Sequence, residues 1–316
     1  MTISGDRYSN WSSWLRERWG TRVYKIPLDT GAGCPNRDGI ERGGCIFCDS
    51  LGGGGGAFLR GESLEEQILR GFRRLEKKPG DPMAIIYLQS YSSTNVSADR
   101  FAALIEKTLK ISHSLGKVAG LAVGARPDQV PDEILDILEE AGIRNSIDVW
   151  LELGIQTVDP SGLEWLRRGH DLAASEDAAA RSSGRRLFLC GHLISGIPHE
   201  RPDQLAGSAI WMANRGFDAV KFHPLHVLRG TALEKEFVCG NFSPQTAEEY
   251  VSEVITALRV LPKKMLIQRL CADASPEKLR APLWINDKSR VIAMIRDRLE
   301  AYGAFQGDNF TASSES

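Results

Sequence analysis

The 316-residue sequence has no long hydrophobic run, no strong excess of charge of either sign and few cysteines for its length. No apolar stretch reaches the roughly 18–20 residues that a membrane-spanning helix needs, so no membrane association is expected. Residues 1–10 are polar and lack the apolar segment of a secretory signal. Lysine and arginine number 39 against 41 acidic residues, which excludes a wholly cationic surface for nucleic acid but leaves local basic patches open. Six cysteines do not make a disulfide scaffold in a chain this long, and a cytoplasmic location is expected.

Short apolar runs alternate with helical patterns along most of the chain. Strands are predicted at 23–28, 83–89, 118–124, 149–156, 187–194 and 219–224, with a final strand at 265–270. Repeated βα units of this kind predict an α/β protein with a parallel sheet, either open or curled toward a barrel. We expect an N-terminal helix within residues 1–20, a core over 21–270, a C-terminal helical extension over 271–305 and a disordered tail over 306–316.

Three cysteines lie in the loop that follows the first predicted strand. Cys34, Cys45 and Cys48 form the pattern C-x10-C-x2-C. Three thiolates suit an iron–sulfur cubane that keeps one iron open, whereas a closed structural zinc site takes four ligands. In barrels of this class the chemistry collects in the loops after the strands, which is where these cysteines lie. Five glycines at 52–56 follow and are interpreted as a flexible spacer, because the loop lacks the lysine of a phosphate-binding loop.

Several separated motifs in one order resemble a known family. They are CPNRDGIERGGCIFC at 34–48, ARPD at 125–128, WLELGIQT at 150–157, RRGHD at 167–171, HLISGIP at 192–198 and KFHPLHVLRGT at 221–231. Together they resemble the YhcC/YtqA-like branch of the radical S-adenosylmethionine (SAM) superfamily, and are similar to the radical domain of elongator acetyltransferase-like proteins. The ten-residue first gap, where three is commonest in the superfamily, is typical of this branch.

The resemblance implies a fold and a chemistry. The implied fold is a partial TIM-type, (β/α)6-like barrel with an N-terminal helix and a C-terminal helical extension. The implied cofactors are a [4Fe–4S] cluster held by Cys34, Cys45 and Cys48 and a SAM molecule on the open iron. One electron, from a donor such as flavodoxin or ferredoxin, would cleave SAM to methionine and a 5′-deoxyadenosyl radical that takes a hydrogen atom from the substrate.

The resemblance also implies contacts to SAM. Phe47 occupies the aromatic position before the final cysteine, where the backbone passes near the adenine. Gln89 stands where many members have a Gly-Gly-Glu segment for the methionine amino group, which makes it the candidate here. Gln156 matches a glutamine that reaches SAM, and Arg168 matches an arginine that grips the methionine carboxylate. A packing aromatic and a surface arginine are the ordinary alternatives for Phe47 and Arg168.

Two more residues are assigned to the cofactor site. Glu152 lies inside an apolar strand, where a carboxylate is costly unless it meets a basic side chain or a ligand hydroxyl. His192 occupies a position where relatives have aspartate or histidine pointing into the barrel mouth. His223 is interpreted as a packing residue. The other cysteines, Cys190 and its two companions at 239 and 271, are too widely spaced for a second cluster and are interpreted as buried free thiols.

The substrate is less defined than the chemistry. Relatives are connected with the wobble-uridine side chain of tRNA, so tRNA modification is the leading hypothesis. Basic clusters that could hold phosphates occur within 16–25, 70–78 and 181–186, although each also fits a solvated helix face. The alternatives are a radical SAM enzyme acting on a small molecule or a protein side chain, and a non-catalytic iron–sulfur protein that carries electrons or binds RNA. No residue is assigned to catalysis on the substrate.

Overall fold

Seven parallel strands form one curved sheet in a computed structural model that describes residues 7–37 and 43–311. The strands are β1 Val23–Leu28, β2 Met83–Leu88, β3 Val118–Ala125, β4 Asp148–Gln156, β5 Phe188–Ser195, β6 Ala219–Pro224, β7 Val227–Leu228, β8 Leu266–Arg269 and β9 Leu279–Ala281. The sheet order is β1-β2-β3-β4-β5-β6-β8, and β7 pairs with β9 in a separate antiparallel ladder. The sequence order of the strands and their parallel pairing confirm the predicted partial barrel.

Helices cover the outside of this half-barrel. They are α1 Trp11–Trp19, α2 Leu64–Leu75, α3 Ala98–Leu115, α4 Asp132–Asn145, α5 Pro160–Trp165, α6 Leu172–Ser182, α7 Gln204–Asn214, α8 Ala232–Val238, α9 Ala247–Arg259 and α10 Lys288–Ala301. On β4 the odd-numbered positions Val149, Leu151 and Leu153 join the main hydrophobic core under the helices. The even-numbered residues from Trp150 onward therefore face the barrel interior, because successive strand residues point to opposite faces.

Helix α1 closes the end of the barrel at which the strands begin. Asn10 caps this helix by accepting hydrogen bonds from the backbone of Ser12 and Ser13. Trp11 packs edge-on against Trp150 at 5.7 Å between ring centroids, and Trp150 stacks on Phe188 at 4.6 Å. The predicted N-terminal helix thus seals the floor of the barrel, which leaves the opposite end open for a site.

The C-terminal extension contains α10, and the chain continues in ordered form past it. The expected disorder from Gln306 onward is wrong for the first residues of the tail. The Gln306 side chain is fully buried, and its amide donates to the carbonyl oxygens of Pro262 and Met265 at 2.8 Å each. A polar composition predicted disorder, but these bonds tie the segment to the floor of the barrel; residues 312–316 lie outside the described part.

Within the described ranges no helix is both long enough and apolar enough to cross a membrane.

Candidate active site

The three cysteines of the loop after β1 lie at the open end of the barrel. Cys34 and Cys45 are buried, and Cys48 is partly buried. A tight turn joins the last two, because the Cys48 backbone N–H donates to the Cys45 carbonyl at 3.0 Å. The N–H of Ile46 donates to Leu166 at 3.1 Å, which anchors this turn to the loop after β4. Residues 38–42 of the long first gap lie outside the described residues.

Cationic and amide groups surround the sulfur of Cys45. Arg168 Nη1 donates to Cys45 Sγ at 3.1 Å, and Asn36 Nδ2 lies at 3.5 Å from the same sulfur. Arg168 Nη2 also donates to the Gly154 carbonyl at 2.8 Å, and the Arg168 carbonyl accepts from Arg126 Nη1 at 2.7 Å. The alternative interpretation of Arg168 as an exposed surface arginine is wrong, since its side chain is buried. Its guanidinium is directed at a cysteine, and the predicted grip on a ligand carboxylate remains a prediction.

Burial disfavours free thiolates at this loop. It raises the pKa of Cys34, against the smaller lowering effects of the Asn36 backbone N–H and the Arg126 charge. For Cys48 burial and the nearby Cys45 raise the pKa to about 12. A metal centre held by these cysteines would supply positive charge in place of their protons and would relieve this cost.

An iron–sulfur cluster and a single metal ion require different arrangements of donor atoms. Among residues 7–37 and 43–311, no three His, Cys, Asp or Glu side chains converge closely enough for one metal ion. A cubane presents its irons at separate corners, so its three cysteines do not need to meet at one point. The buried Nε of Arg168 and the buried hydroxyls of Ser90 and Ser93 lack partners within the described chain. Three cysteines, one of them in contact with a guanidinium that keeps an unpartnered nitrogen, fit a cluster with a polar ligand.

The five-glycine run is a docked turn, and its interpretation as a flexible spacer is wrong. Gln89 Nε2 donates to the Gly53 carbonyl at 2.8 Å, and the Tyr91 N–H donates to the Gly52 carbonyl at 3.0 Å. A Cβ on Gly54 would lie 1.9 Å from the Ser90 hydroxyl oxygen. Glycine is required because the turn packs directly on the loop after β2, and in this structure Gln89 holds that turn.

Gln156 ends β4 in a left-handed conformation, with φ of 70°. This conformation is uncommon outside glycine and brings the side chain back over Gly154. A Cβ on Gly154 would lie 2.9 Å from Gln156 Nε2 and 3.2 Å from Arg168 Nη2. The side chains of Gln156 and Arg168 therefore lie next to each other over Gly154 at the barrel mouth. Phe47 packs against an apolar cluster that includes Ile46.

A charged group lies deeper in the barrel, centred on Glu152. Its side chain is 0% exposed and forms ion pairs with Lys25 and Lys221, while His192 Nε2 lies 3.2 Å from its Oε2. Burial opposes ionisation, but Lys221 and then Lys25 outweigh it and hold the pKa of Glu152 well below its usual value. Glu152 is thus ionised and paired with basic side chains. A ligand hydroxyl is not needed to explain it.

Aromatic and amide groups complete this arrangement. The ammonium of Lys25 lies 4.6 Å from the Tyr87 ring centroid and that of Lys221 lies 4.9 Å from it. Lys25 also donates to Gln268 Oε1 at 3.1 Å. His223 stacks on His192 with centroids 5.5 Å apart, so it belongs to the barrel interior. We call this set the inner polar cluster, and its members are Lys25, Tyr87, Glu152, His192, Lys221, His223 and Gln268.

Sequence reasoning missed Asn36, Lys25, Tyr87 and Lys221. Lys25 and Lys221 each interrupt an apolar strand at a position of the same parity as its inward residues, and this signal was available. Asn36 carries no comparable signal, since asparagine is ordinary in a loop. Of the remaining cysteines, Cys190 and Cys271 are buried as expected, but Cys239 is exposed at the end of α8.

Known protein families and several curated proteins are similar to this chain. A family profile described as the radical SAM superfamily matches residues 29–211, and one described as a radical SAM C-terminal domain matches 217–301. The uncharacterized protein YtqA of Bacillus subtilis is 32% identical over 310 residues, covering 98% of this chain and 94% of that protein. Protein YhcC of Escherichia coli is 32% identical over 275 residues, covering 87% and 86%.

More distant similarity extends to proteins with a named activity. The tRNA uridine(34) acetyltransferase of Methanocaldococcus infernus is 25% identical over 187 residues, covering 55% of this chain and 33% of that protein. A solved structure of Elp3 from the same organism, lacking residues 1–46, superposes with a TM-score of 0.68 at 18% identity. The superposition covers 90% of this chain and 64% of that one, and it shows that the two share a fold.

Proposed function

The chain belongs to the radical SAM superfamily and is an enzyme of it, and on that premise we propose that Cys34, Cys45 and Cys48 hold its cluster. The family implies a [4Fe–4S] cluster and SAM as cofactors. Bound together, they supply a 5′-deoxyadenosyl radical at the barrel mouth. A flavodoxin or a ferredoxin is proposed as the electron donor.

The chain's own residues prepare this site in three ways. Arg168 and Asn36 aim N–H donors at Cys45, and such bonds stabilise negative charge on a cluster sulfur. Gln156 and the orphaned Nε of Arg168 offer polar contacts to SAM at the end of β4. The docked glycine turn, held by Gln89, covers the loop after β2. The contact of Arg168 with Cys45 is the observation that carries the proposal.

An anaerobic assay tests this function. After reconstitution with iron and sulfide, dithionite and SAM are expected to yield 5′-deoxyadenosine, measured by liquid chromatography. Cys45→Ala should abolish the product, whereas Cys239→Ala, which alters an exposed cysteine outside the loop, should leave it unchanged. Equal amounts from the wild type and Cys45→Ala would remove the proposal.

For the substrate we propose tRNA, with the wobble-uridine side chain as the modified group. The distant relatives named as tRNA uridine(34) acetyltransferases support it. A cavity of about 410 Å³ beside β1 is lined by Arg74 and Lys78 of the basic stretch after residue 70, and it reaches Gln89 and Ser90 at the barrel mouth. Arg70 of the same stretch is paired with Glu62, whereas no ion pair of Arg74 or Lys78 occurs among the described residues, so these two can meet phosphates.

The other basic stretches are less suited to phosphates. Arg18 is paired with Asp148, and Arg185 with Asp132 and Asp136. Mass spectrometry of tRNA nucleosides from cells with and without the gene tests the tRNA proposal. We expect one modified wobble uridine to disappear without the gene, and identical profiles would refute this substrate.

A radical enzyme acting on a small molecule is the second candidate. The inner polar cluster favours it, because an enclosed set of charged side chains suits a small polar group better than a long polymer.

A further inference from the structure

We propose that the inner polar cluster binds an anionic oxygen group of the substrate, a carboxylate or a phosphate, inside the barrel. The proposal rests on the proposed radical function and adds to it the chemical class of group that the interior receives.

The charges of the cluster do not balance. Two ammonium groups, Lys25 and Lys221, face one carboxylate, Glu152. His192 adds no charge near neutrality, because burial and the Lys221 charge lower its pKa to about 4. Arg269 lies nearby but is paired with Asp273 at 3.3 Å. One positive charge is therefore left over in the barrel interior.

The stability of the fold does not by itself explain why the barrel buries an unbalanced positive charge. Replacing buried ionic groups with apolar residues of similar volume is often neutral or stabilising, so the fold does not need a second lysine here. Lys221 is 4% exposed, and its ammonium has one carboxylate and one aromatic ring as neighbours. An anion beside it would complete the charge balance.

Unpartnered groups point to the same kind of ligand. Lys25 donates to Gln268 Oε1, and this contact orients the amide so that Nε2 faces away from Lys25. That Nε2 is buried and lacks an acceptor among the described residues, and the buried Nε2 of His223 on the neighbouring strand β6 likewise has no hydrogen-bond partner there. An amide N–H requires an acceptor, which an anionic oxygen supplies.

The cluster also lies at a useful depth. Glu152 and Gln156 are four residues apart on β4, which corresponds to about 13 Å along a strand. The cluster therefore lies below the cysteine loop and above the aromatic floor formed by Trp150. A substrate whose anionic group reaches this depth would present another part of itself at the barrel mouth.

Equilibrium dialysis of the anaerobically reconstituted enzyme tests the proposal, with radiolabelled orthophosphate, acetate and neutral acetamide as probes. We expect saturable binding of at least one anion at one site per chain, and none of acetamide. The tighter of the two anions identifies the group. Binding of neither anion, or equal binding of acetamide, would overturn the proposal and would leave water as the partner of Gln268 and His223.

Variants of opposite sign separate binding from general damage. At pH 6, where Lys25 carries its charge, Lys221→Met should weaken anion binding about tenfold, and Glu152→Gln should tighten it by a similar factor. Glu152→Gln combined with Lys221→Met keeps one excess charge and should bind as the wild type does, which retains the test if a single variant misfolds. Lys117→Met, which removes a cation from an exposed ion pair with Asp81, is the control. The proposal would be refuted if Lys221→Met and Glu152→Gln changed the affinity for the anion in the same direction.

The same preparations are assayed for 5′-deoxyadenosine. Loss of that product with anion binding intact contradicts the radical function alone, whereas product formation without anion binding contradicts only the present inference.

Discussion

Replacing Glu152 with glutamine should destabilise the fold by an amount that depends on pH. The substitution keeps the shape of the side chain but removes the carboxylate that pairs with Lys25 and Lys221. The Glu152 side chain is 0% exposed, and the side chains of the two lysines are 19% and 5% exposed. Removing one partner from such a buried arrangement costs about 3–5 kcal/mol of unfolding free energy.

The pH dependence follows from Lys25. In the wild type burial lowers the pKa of Lys25 from 10.5 to about 8, although Glu152 opposes this. Between these values the unfolded chain binds more protons, so this group makes stability rise with pH in that window. Without the Glu152 charge the pKa of Lys25 is lowered further, so the rise of stability with pH begins at a lower pH. The loss of unfolding free energy in Glu152→Gln is therefore largest near pH 6 and becomes smaller toward pH 8. It decreases by about 1.4 kcal/mol for each unit by which the substitution further lowers the pKa of Lys25.

Chemical denaturation of both proteins at pH 6 and pH 8, in phosphate-free buffer, measures this difference. Glu140→Gln is the control, because Glu140 forms an exposed pair with Arg144 on α4 and should cost less than about 0.5 kcal/mol. A deficit that stays constant or grows between pH 6 and pH 8 would refute the assignment of uncompensated lysine charge inside the barrel.

Three further predictions concern the mouth, the glycine turn and the tail. Arg168→Met should lower the midpoint potential of the reconstituted cluster by about 60 mV, if the lost bond to Cys45 is worth about 1.4 kcal/mol; an unchanged potential in an EPR redox titration would contradict it. Gly54→Ala should cost about 1–3 kcal/mol in chemical denaturation, because its Cβ would meet Ser90, whereas Gly207→Ala has open space and should not destabilise; equal effects would refute the docked turn. Gln306→Ala should lower stability by about 2–3 kcal/mol in the same measurement, and no change would show that the tail is dispensable.

The strand pattern illustrates how far periodicity reaches. The apolar runs predicted all seven strands of the main sheet, because buried parallel strands are continuous apolar segments. No predicted strand end differs from the observed end by more than one residue. The short ladder of β7 and β9 escaped prediction, since two or three residues carry no period. Disorder was wrongly predicted from Gln306 onward for a related reason. A polar composition does not indicate that a side chain has buried hydrogen-bond partners elsewhere in the fold.

The site divides in the same way. Cysteine spacing predicted the three ligands of the loop, and the family resemblance singled out Arg168 and Gln156. The apolar surroundings of Glu152 predicted a basic partner or a ligand hydroxyl for it, but the sequence did not identify which residues would make these contacts. Arg168 meets Cys45 across 123 residues of chain, and Lys25 meets Glu152 across 127. Such pairings depend on how the sheet curves and on which face each strand presents.

The sequence by itself determined the family and the succession of strands along the chain, and it predicted the three loop cysteines as cluster ligands, because these are local patterns and motifs read along one chain. Only the tertiary structure decided that two lysines share one carboxylate inside the barrel and that an arginine is directed at a cysteine. Closing a curved sheet brings side chains from distant strands within a few ångströms of one another, and no periodicity along the chain encodes that distance.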